Sequence, residues 1–198
     1  CEASKQEIIR RYYTTLNNLV QGNASENEVS KIELLMKQAN ITTDDRRVTV
    51  AAKERAAKSK VPSAAIELAD GTIITSETSD LLGTSAALLL NANKYLAGID
   101  HKLKLIPKEM IEPIQKMKVT YLAGKNPRLH TDEVLVALAM LSKDDENCRR
   151  AIEQFPNLKG CQVHTTVMLS EVDRKIFKKL GIDLTCEPIS KKQKPLIG

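Results

Sequence analysis

The chain has no tryptophan, and aromatic residues fill only 3% of its 198 positions. That scarcity excludes recognition of single-stranded nucleic acid by base stacking, which needs aromatic platforms. No run of about 18 apolar residues occurs, so the sequence offers no membrane-spanning helix and no membrane partner. The first ten residues carry charges within a helical pattern, so no export signal is visible. The four cysteines, Cys1, Cys148, Cys161 and Cys186, form no CxxC pair. Without an export signal they read as reduced thiols, and the protein as cytoplasmic. Glycosylation tripeptides at Asn23 and Asn40 are then chance matches. Phosphate-loop, nucleophile-elbow, dinucleotide-binding and HExxH patterns are all absent. So is the H-x-E with P-C-x-x-C signature of zinc deaminases. Cys161, Cys186, His130 and His164 match no usual zinc spacing, so no metal is expected and no cofactor is indicated.

Apolar residues make up 42% of the chain, enough for a packed core. The net charge is +5, but Lys191, Lys192 and Lys194 lie in the tail, which leaves +2 on the body. A basic tail of this kind, at 191–198, reads as a solvated terminus, and no nucleic-acid partner is expected. The start at Cys1, inside a helical pattern, reads as a fragment.

Residues 1–60 form an all-helical segment, expected to be part of a larger helical domain. Ile8, Ile9, Tyr12, Tyr13, Leu16, Leu19 and Val20 recur at spacings of three and four. Val29, Ile32, Leu35 and Met36 mark a second helix, and Thr43 caps a third. These helices share too little apolar surface for a core of their own, so they should lean on other structure. Residues 61–190 alternate strands with helices. Ala64–Leu68 and Thr72–Thr75 flank Asp70-Gly71, a strong hairpin signal. A helix from Asp80 to Ala97 is apolar nearly all round and ends at Gly98. Leu103–Ile106 reads as a strand, and a broken helix follows to Leu122. Thr131 caps a helix through Leu141, and another spans Asp144 to Gln154. Cys161–Leu169 is the clearest strand, Ser170 with Asp173 opens a helix, and Ile182–Cys186 is the last strand. Such alternation means a sheet covered on both faces.

Three polar segments stand where apolar runs begin or end. The first is Asn126 to Glu133. Its Arg128 and His130 are placed to hold an anion at a helix start, although Asp132 and Glu133 occupy the same end. The alternative is plain capping. The second is the strand with His164 and Thr165. Alternation puts Gln162, His164 and Thr166 on one face and Val163 and Thr165 on the other. His164 is either a satisfied core histidine or a base. The third is Thr185-Cys186-Glu187-Pro188, which places Glu187 at a strand exit, where open α/β sheets bind ligands. Ser79, before the long helix, is a fourth candidate for phosphate contact or for capping.

Several strings carry a family resemblance. They include Ala64–Leu68 with Asp70-Gly71, Thr78–Leu82, Leu89–Ala92, Leu96–Ile99, Glu112–Ile114, Lys125–Glu133 and Thr185–Pro188. On these the chain resembles the C-terminal portion of the 1846 family of domains of unknown function, whose proteins are considerably longer. The resemblance implies a small helical domain followed by a three-layer α/β/α sandwich of cytidine-deaminase-like topology. Because the deaminase zinc ligands are missing, the topology does not carry that activity here.

The leading expectation is therefore the C-terminal part of a cytoplasmic enzyme acting on a small anionic or nucleotide-like ligand. His130, His164 and Glu187 are the candidate catalytic residues. Asn126, Arg128, Thr165 and Ser79 are the candidate ligand-binding residues. The alternative is a non-catalytic structural module, with the apolar helix at 81–96 supporting a homo-oligomer.

Overall fold

The computed structural model describes residues 1–188, so the basic tail at 191–198 lies outside the described residues. The element order is α1 (Glu2–Val20), α2 (Glu26–Gln38), α3 (Arg47–Ser59), β1 (Ser63–Glu67), β2 (Ile73–Glu77) and α4 (Thr84–Leu96). It continues with α5 (Lys108–Lys116), α6 (Thr131–Leu141), α7 (Glu146–Ile152), β3 (Gln162–Thr165), α8 (Glu171–Lys179) and β4 (Asp183–Cys186). The chain is mixed α/β, with a four-stranded sheet in the order β2-β1-β3-β4. The Asp70-Gly71 hairpin forms as expected. Gly71 takes a positive φ of 83°, and the Asp70 side chain accepts from the Thr72 amide. β1 is antiparallel to β2 and to β3, while β3 and β4 are parallel and joined through α8. Strands β2, β3 and β4 therefore point the same way and end at one edge of the sheet.

Register decides which side chains share a face. Ala64, Ile66 and Val163 pack with Leu88, Leu89 and Ala92 of α4 and Phe177 of α8. On the opposite face Ala65 packs with Val48 and Ala52 of α3. Ala65 is registered with His164, and His164 with Thr185, so these polar residues lie on the α3 side. The other side of α4 presents Ala86 and Leu90 to Val134, Ala137 and Leu138 of α6 and to Cys148 and Ala151 of α7. The apolar character of α4 is thus largely consumed within the chain.

The first helices do lean on the sheet. Ile9, Tyr13, Met36 and Ile41 make only a small cluster between α1 and α2. α1 also reaches β4, where Asn17 Nδ2 donates to the Cys186 carbonyl at 3.0 Å. Arg46, fully buried just before α3, donates to the carbonyls of Asp183 (2.7 Å) and Val163 (3.2 Å) and pairs with the Asp183 carboxylate (3.3 Å). Burial lowers its pKa, and Asp183 offsets part of that effect.

Several expectations need correction. Thr43 does not cap α3: it opens a short turn, Thr43–Asp45, and Arg46 holds the cap position of the helix. Leu103–Ile106 is a loop. Leu105 and Ile106 are buried against α4 and α7, and Lys94 Nζ donates to the carbonyls of His101 (2.8 Å) and Leu103 (3.1 Å). A lysine, not a neighbouring strand, satisfies that backbone, so apolar alternation alone misleads here. The long helix begins at Thr84 and not at Asp80, because Ser79 Oγ accepts from the amides of Leu81 and Leu82 and closes a separate turn. The strand around His164 spans only Gln162–Thr165.

Candidate functional site

The common edge of β2, β3 and β4 collects the sequence candidates. Ser79 follows β2, Thr165 ends β3 and Glu187 follows β4. The segment with Asn126, Arg128 and His130 is tied to the same edge by a parallel bridge between Leu82 and Leu129. There Leu129 donates to the Leu81 carbonyl at 3.0 Å, and Gly83 donates to the Leu129 carbonyl at 3.2 Å. Arg128 Nε donates to the Ser79 carbonyl, and Asn126 Oδ1 accepts from the Arg128 amide at 3.1 Å. Asn126, Arg128 and Ser79, distant in sequence, are therefore neighbours.

Beside them, the starts of α4, α6 and α8 meet on one carboxyl group. Asp173 is buried, and its Oδ1 accepts from the Thr131 amide (3.1 Å) and the Thr131 hydroxyl (2.6 Å). Its Oδ2 accepts from the Ser85 hydroxyl at 3.1 Å. His130 Nδ1 stands 3.9 Å from the same Oδ2, with the imidazole side chain 31% exposed. A part-exposed imidazole is thus backed by a buried, hydrogen-bonded carboxyl group. Ser170 caps α8 by accepting from the Asp173 amide, as its sequence suggests. The Asp173 side chain does not close a box with Ser170 but turns to Thr131 and Ser85. His130, not Thr131, holds the cap position of α6; its amide donates to Glu133, which Lys118 Nζ pairs at 2.8 Å. The amides of His130 and Thr131 are therefore taken by the protein's own carboxylates. An anion at Arg128 and His130 would share the helix end with Glu133 and Asp173.

The second group lies on the α3 side of the sheet. His164 is fully buried, and its ring packs against Tyr13 of α1 with centroids 4.8 Å apart and the planes tilted by 54°. Its Nδ1 is 2.8 Å from Thr185 Oγ1, and its Nε2 is 3.2 Å from Glu187 Oε1. The Tyr13 hydroxyl donates to the same oxygen at 3.1 Å, and Lys53 Nζ pairs with it at 3.2 Å. Burial lowers the His164 pKa, and Glu187 offsets only part of that drop. Burial pushes the Glu187 carboxyl up, but His164 and Lys53 outweigh it and hold the group below the ordinary carboxylate range. With the imidazole neutral, Nε2–H can still donate to the carboxylate, beside Lys53 and the Tyr13 hydroxyl. Tyr13 itself is pushed well above its ordinary pKa by burial and by Glu187, so it remains a donor. The Thr185 hydroxyl has two acceptors in reach, His164 Nδ1 and, at 3.3 Å, the Val163 carbonyl. The ring can therefore gain a proton without stranding a hydrogen bond, because Thr185 can turn to Val163.

The structure therefore divides the candidates. His164 and Glu187 form one hydrogen-bonded group. Asn126, Arg128, Ser79 and His130 form another at the same edge. Thr165 is buried on the opposite face from His164, and its hydroxyl donates to the Val167 carbonyl at 2.8 Å. Among the described residues no hydrogen bond or ion pair joins His130 to His164. His164 lies behind Tyr13 with no exposed surface of its own, and its partner Glu187 has a side chain 16% exposed. Sequence reading missed Asp173 as the residue behind His130, and Tyr13 and Lys53 as partners of Glu187. Each joins elements far apart in the chain. Ser79 lines a cavity of about 400 Å³ with Leu82, Ala87 and Ile111, and a cavity of about 740 Å³ runs past Lys94, Tyr95 and His101 at the opposite end of α4. The candidate residues form an open rim.

Residues 44–195 match the family described as "Domain of unknown function DUF1846, C-terminal", and residues 1–40 match its N-terminal counterpart. A UPF0371 protein of Corynebacterium urealyticum is 49% identical over 187 residues, covering 94% of this chain and 38% of that protein. A UPF0371 protein of Corynebacterium aurimucosum is 49% identical over 188 residues, 95% of this chain and 38% of its own length. A UPF0371 protein of Streptococcus pyogenes serotype M5 is 46% identical over 188 residues, again 95% and 38%. The chain thus spans 38% of the length of these relatives.

Proposed function

The chain belongs to the DUF1846 family, and from that footing we propose that it is the C-terminal part of a cytoplasmic enzyme acting on a small anionic or nucleotide-like ligand. The observation that carries this reading is the pairing of part-exposed His130 with buried Asp173 at the strand ends. A carboxyl group fixed by Thr131 and Ser85 turns Nδ1 of the ring inward. That leaves Nε2 as the nitrogen to take or give a proton at a ligand. Arg128 stands beside it, with Nε on the Ser79 carbonyl and its terminal nitrogens directed to no partner among the described residues. Those nitrogens would hold an anionic group in a forked contact. Glu187 supplies a second proton-carrying group at the same edge, oriented from beneath by His164, which acts as a positioning residue. Open α/β sheets place ligands beyond the strand ends, which supports this location. The strand order, with only β1 reversed, supports the finer reading of a cytidine-deaminase-like topology. The open rim would be completed by other parts of the longer protein.

The test is a thermal-shift screen of the full-length protein against nucleotides, sugar phosphates and carboxylate metabolites. A specific compound should raise the melting temperature, and Arg128→Ala and His130→Ala should each abolish that rise while leaving the unliganded melt nearly unchanged. A screen with no hit, or a hit indifferent to both substitutions, overturns the reading.

A further inference from the structure

Lys94, in the last turn of α4, is only 8% exposed, yet no carboxylate pairs with it among the described residues. Its Nζ donates to the carbonyls of His101 and Leu103, which occupy two of its three N–H groups. Asp100, the acid whose charge acts on it, is itself exposed and turns to His101 at 3.5 Å. Buried charges are ordinarily paired, and an unpaired one is disfavoured. Burial accordingly lowers the Lys94 pKa, and Asp100 offsets only part of that drop. The two carbonyls explain why the ammonium stands there. They leave its third N–H and its counter-charge unsupplied.

Lys94 lines the cavity of about 400 Å³ that lies between α4, α5 and the loop at 104–106, and Lys104 lines the same end. Lys104 also forms no ion pair among the described residues. The other walls are largely apolar, with Leu82, Ala87, Leu90, Ile106 and Ile111. Leu90, Ile106 and Ile111 belong to the cluster that α4 shares with α6 and α7, so the cavity reaches into the core. The one acid in its lining, Asp80, stands at the far end with Ser79, before α4 begins. From Ala87 to Lys94 the cavity follows two turns of α4, about 10 Å. A hollow of this volume, apolar along its length and cationic at one end, suits a small ligand of matching build.

We propose that this cavity binds a small amphipathic monoanion, an alkanoate, with its carboxylate on Lys94 and Lys104 and its chain along Leu90, Ile106 and Ile111. The carboxylate gives the third N–H of Lys94 its acceptor and both lysines their counter-charge. The chain fills apolar volume that holds water poorly. A neutral alcohol lacks the counter-charge and an alkylamine sets a third cation beside two, so the site discriminates against both. It is separate from the His130–Asp173 group and does not depend on the reaction proposed there.

Titration calorimetry of hexanoate into the full-length protein tests this. Binding should be saturable, and hexanol and hexylamine should each bind at least about tenfold more weakly. Lys104→Gln, at an exposed position, should weaken hexanoate by about tenfold. Ala87→Leu, at a partly exposed position, fills the cavity from the α4 side and should abolish binding. Lys94→Met would also strip the loop of its donor, so the other two variants carry the test, and circular dichroism checks that each stays folded. Arg128→Ala should leave hexanoate binding unchanged, which assigns the response to this cavity and not to the rim. An absence of hexanoate binding overturns the proposal. Hexanol binding as tightly as hexanoate, binding indifferent to both Lys104→Gln and Ala87→Leu, or binding lost in Arg128→Ala overturns it equally.

Discussion

Replacing Asp173 should cost more stability than replacing any of the exposed candidate residues. Its carboxyl group is buried and accepts three hydrogen bonds, from the Thr131 amide, the Thr131 hydroxyl and the Ser85 hydroxyl. Asp173→Ala leaves all three donors without this acceptor in a buried site. It also removes an acid from the converging starts of three helices. A buried donor left without its acceptor costs about 1–3 kcal/mol, and an acid near a helix start contributes about 0.3–1 kcal/mol. Neighbouring losses do not add fully, so the expected cost is about 3–5 kcal/mol. Asp173→Asn keeps one oxygen for Thr131 and presents an amide to Ser85, whose hydroxyl can turn to accept. About 1–2 kcal/mol is expected there. Ser85→Ala removes a single donor and should cost about 1 kcal/mol. Urea unfolding followed by far-ultraviolet circular dichroism measures all three, with the slope of free energy against urea unchanged if the folded state keeps its compactness. A loss below about 1 kcal/mol for Asp173→Ala would refute the reasoning, because it would mean that the three donors find other partners once the carboxyl is gone.

Further outcomes are expected. Arg128→Ala and His130→Ala should each stay within about 0.5 kcal/mol of wild type, whereas His164→Ala should lose about 1–3 kcal/mol by leaving a buried cavity beneath Tyr13 and removing one hydrogen-bond partner of Glu187; equal losses at all three would make the whole constellation structural. Because burial lowers the His164 pKa in the fold, the unfolded chain binds a proton more readily. The stability from this group is present above about pH 6.5 and is lost as pH falls through the lower folded value; Glu187, also lowered, extends the loss at more acid pH. Melting temperatures from pH 7.5 to 5 should fall in the wild type and fall less in His164→Gln. Asn93 lies fully buried on the α4 face that carries Ala86 and Leu90, and neither atom of its amide has a partner among the described residues. Asn93→Leu should therefore gain about 1–2 kcal/mol in urea unfolding, and a loss would show that the amide is satisfied in solution.

Local signals in the sequence were strong enough to settle local structure. Asp70-Gly71 between two short apolar runs specified the hairpin, because few residues tolerate the positive φ found at Gly71. Ser170 specified the start of α8, and the apolar stripes located α1, α2, α4 and α6. Strand alternation assigned His164 and Val163 to opposite faces, and the family resemblance was legible in short strings. Leu103–Ile106 shows the limit: its alternation is that of a strand, yet Lys94 supplies the hydrogen bonds that a neighbouring strand would have supplied. Periodicity reports which side chains point inward, but not what satisfies the backbone.

The candidate site was legible as a set of residues but not as an arrangement. That Ser79, Arg128, His130, Thr165 and Glu187 share one sheet edge follows from β2, β3 and β4 running in one direction, which only strand pairing fixes. That Asp173 stands behind His130, and Tyr13 behind His164, follows from side chains packed across more than 40 positions of sequence. The amino-acid sequence determined which segments become helices and turns, because apolar spacing and turn glycines act over a few residues, although the first residues of α3, α4 and α6 did not follow from it. The tertiary structure alone decided which titratable groups meet, because burial and register pair residues through space, and both their pKa shifts and their hydrogen bonds come from that pairing.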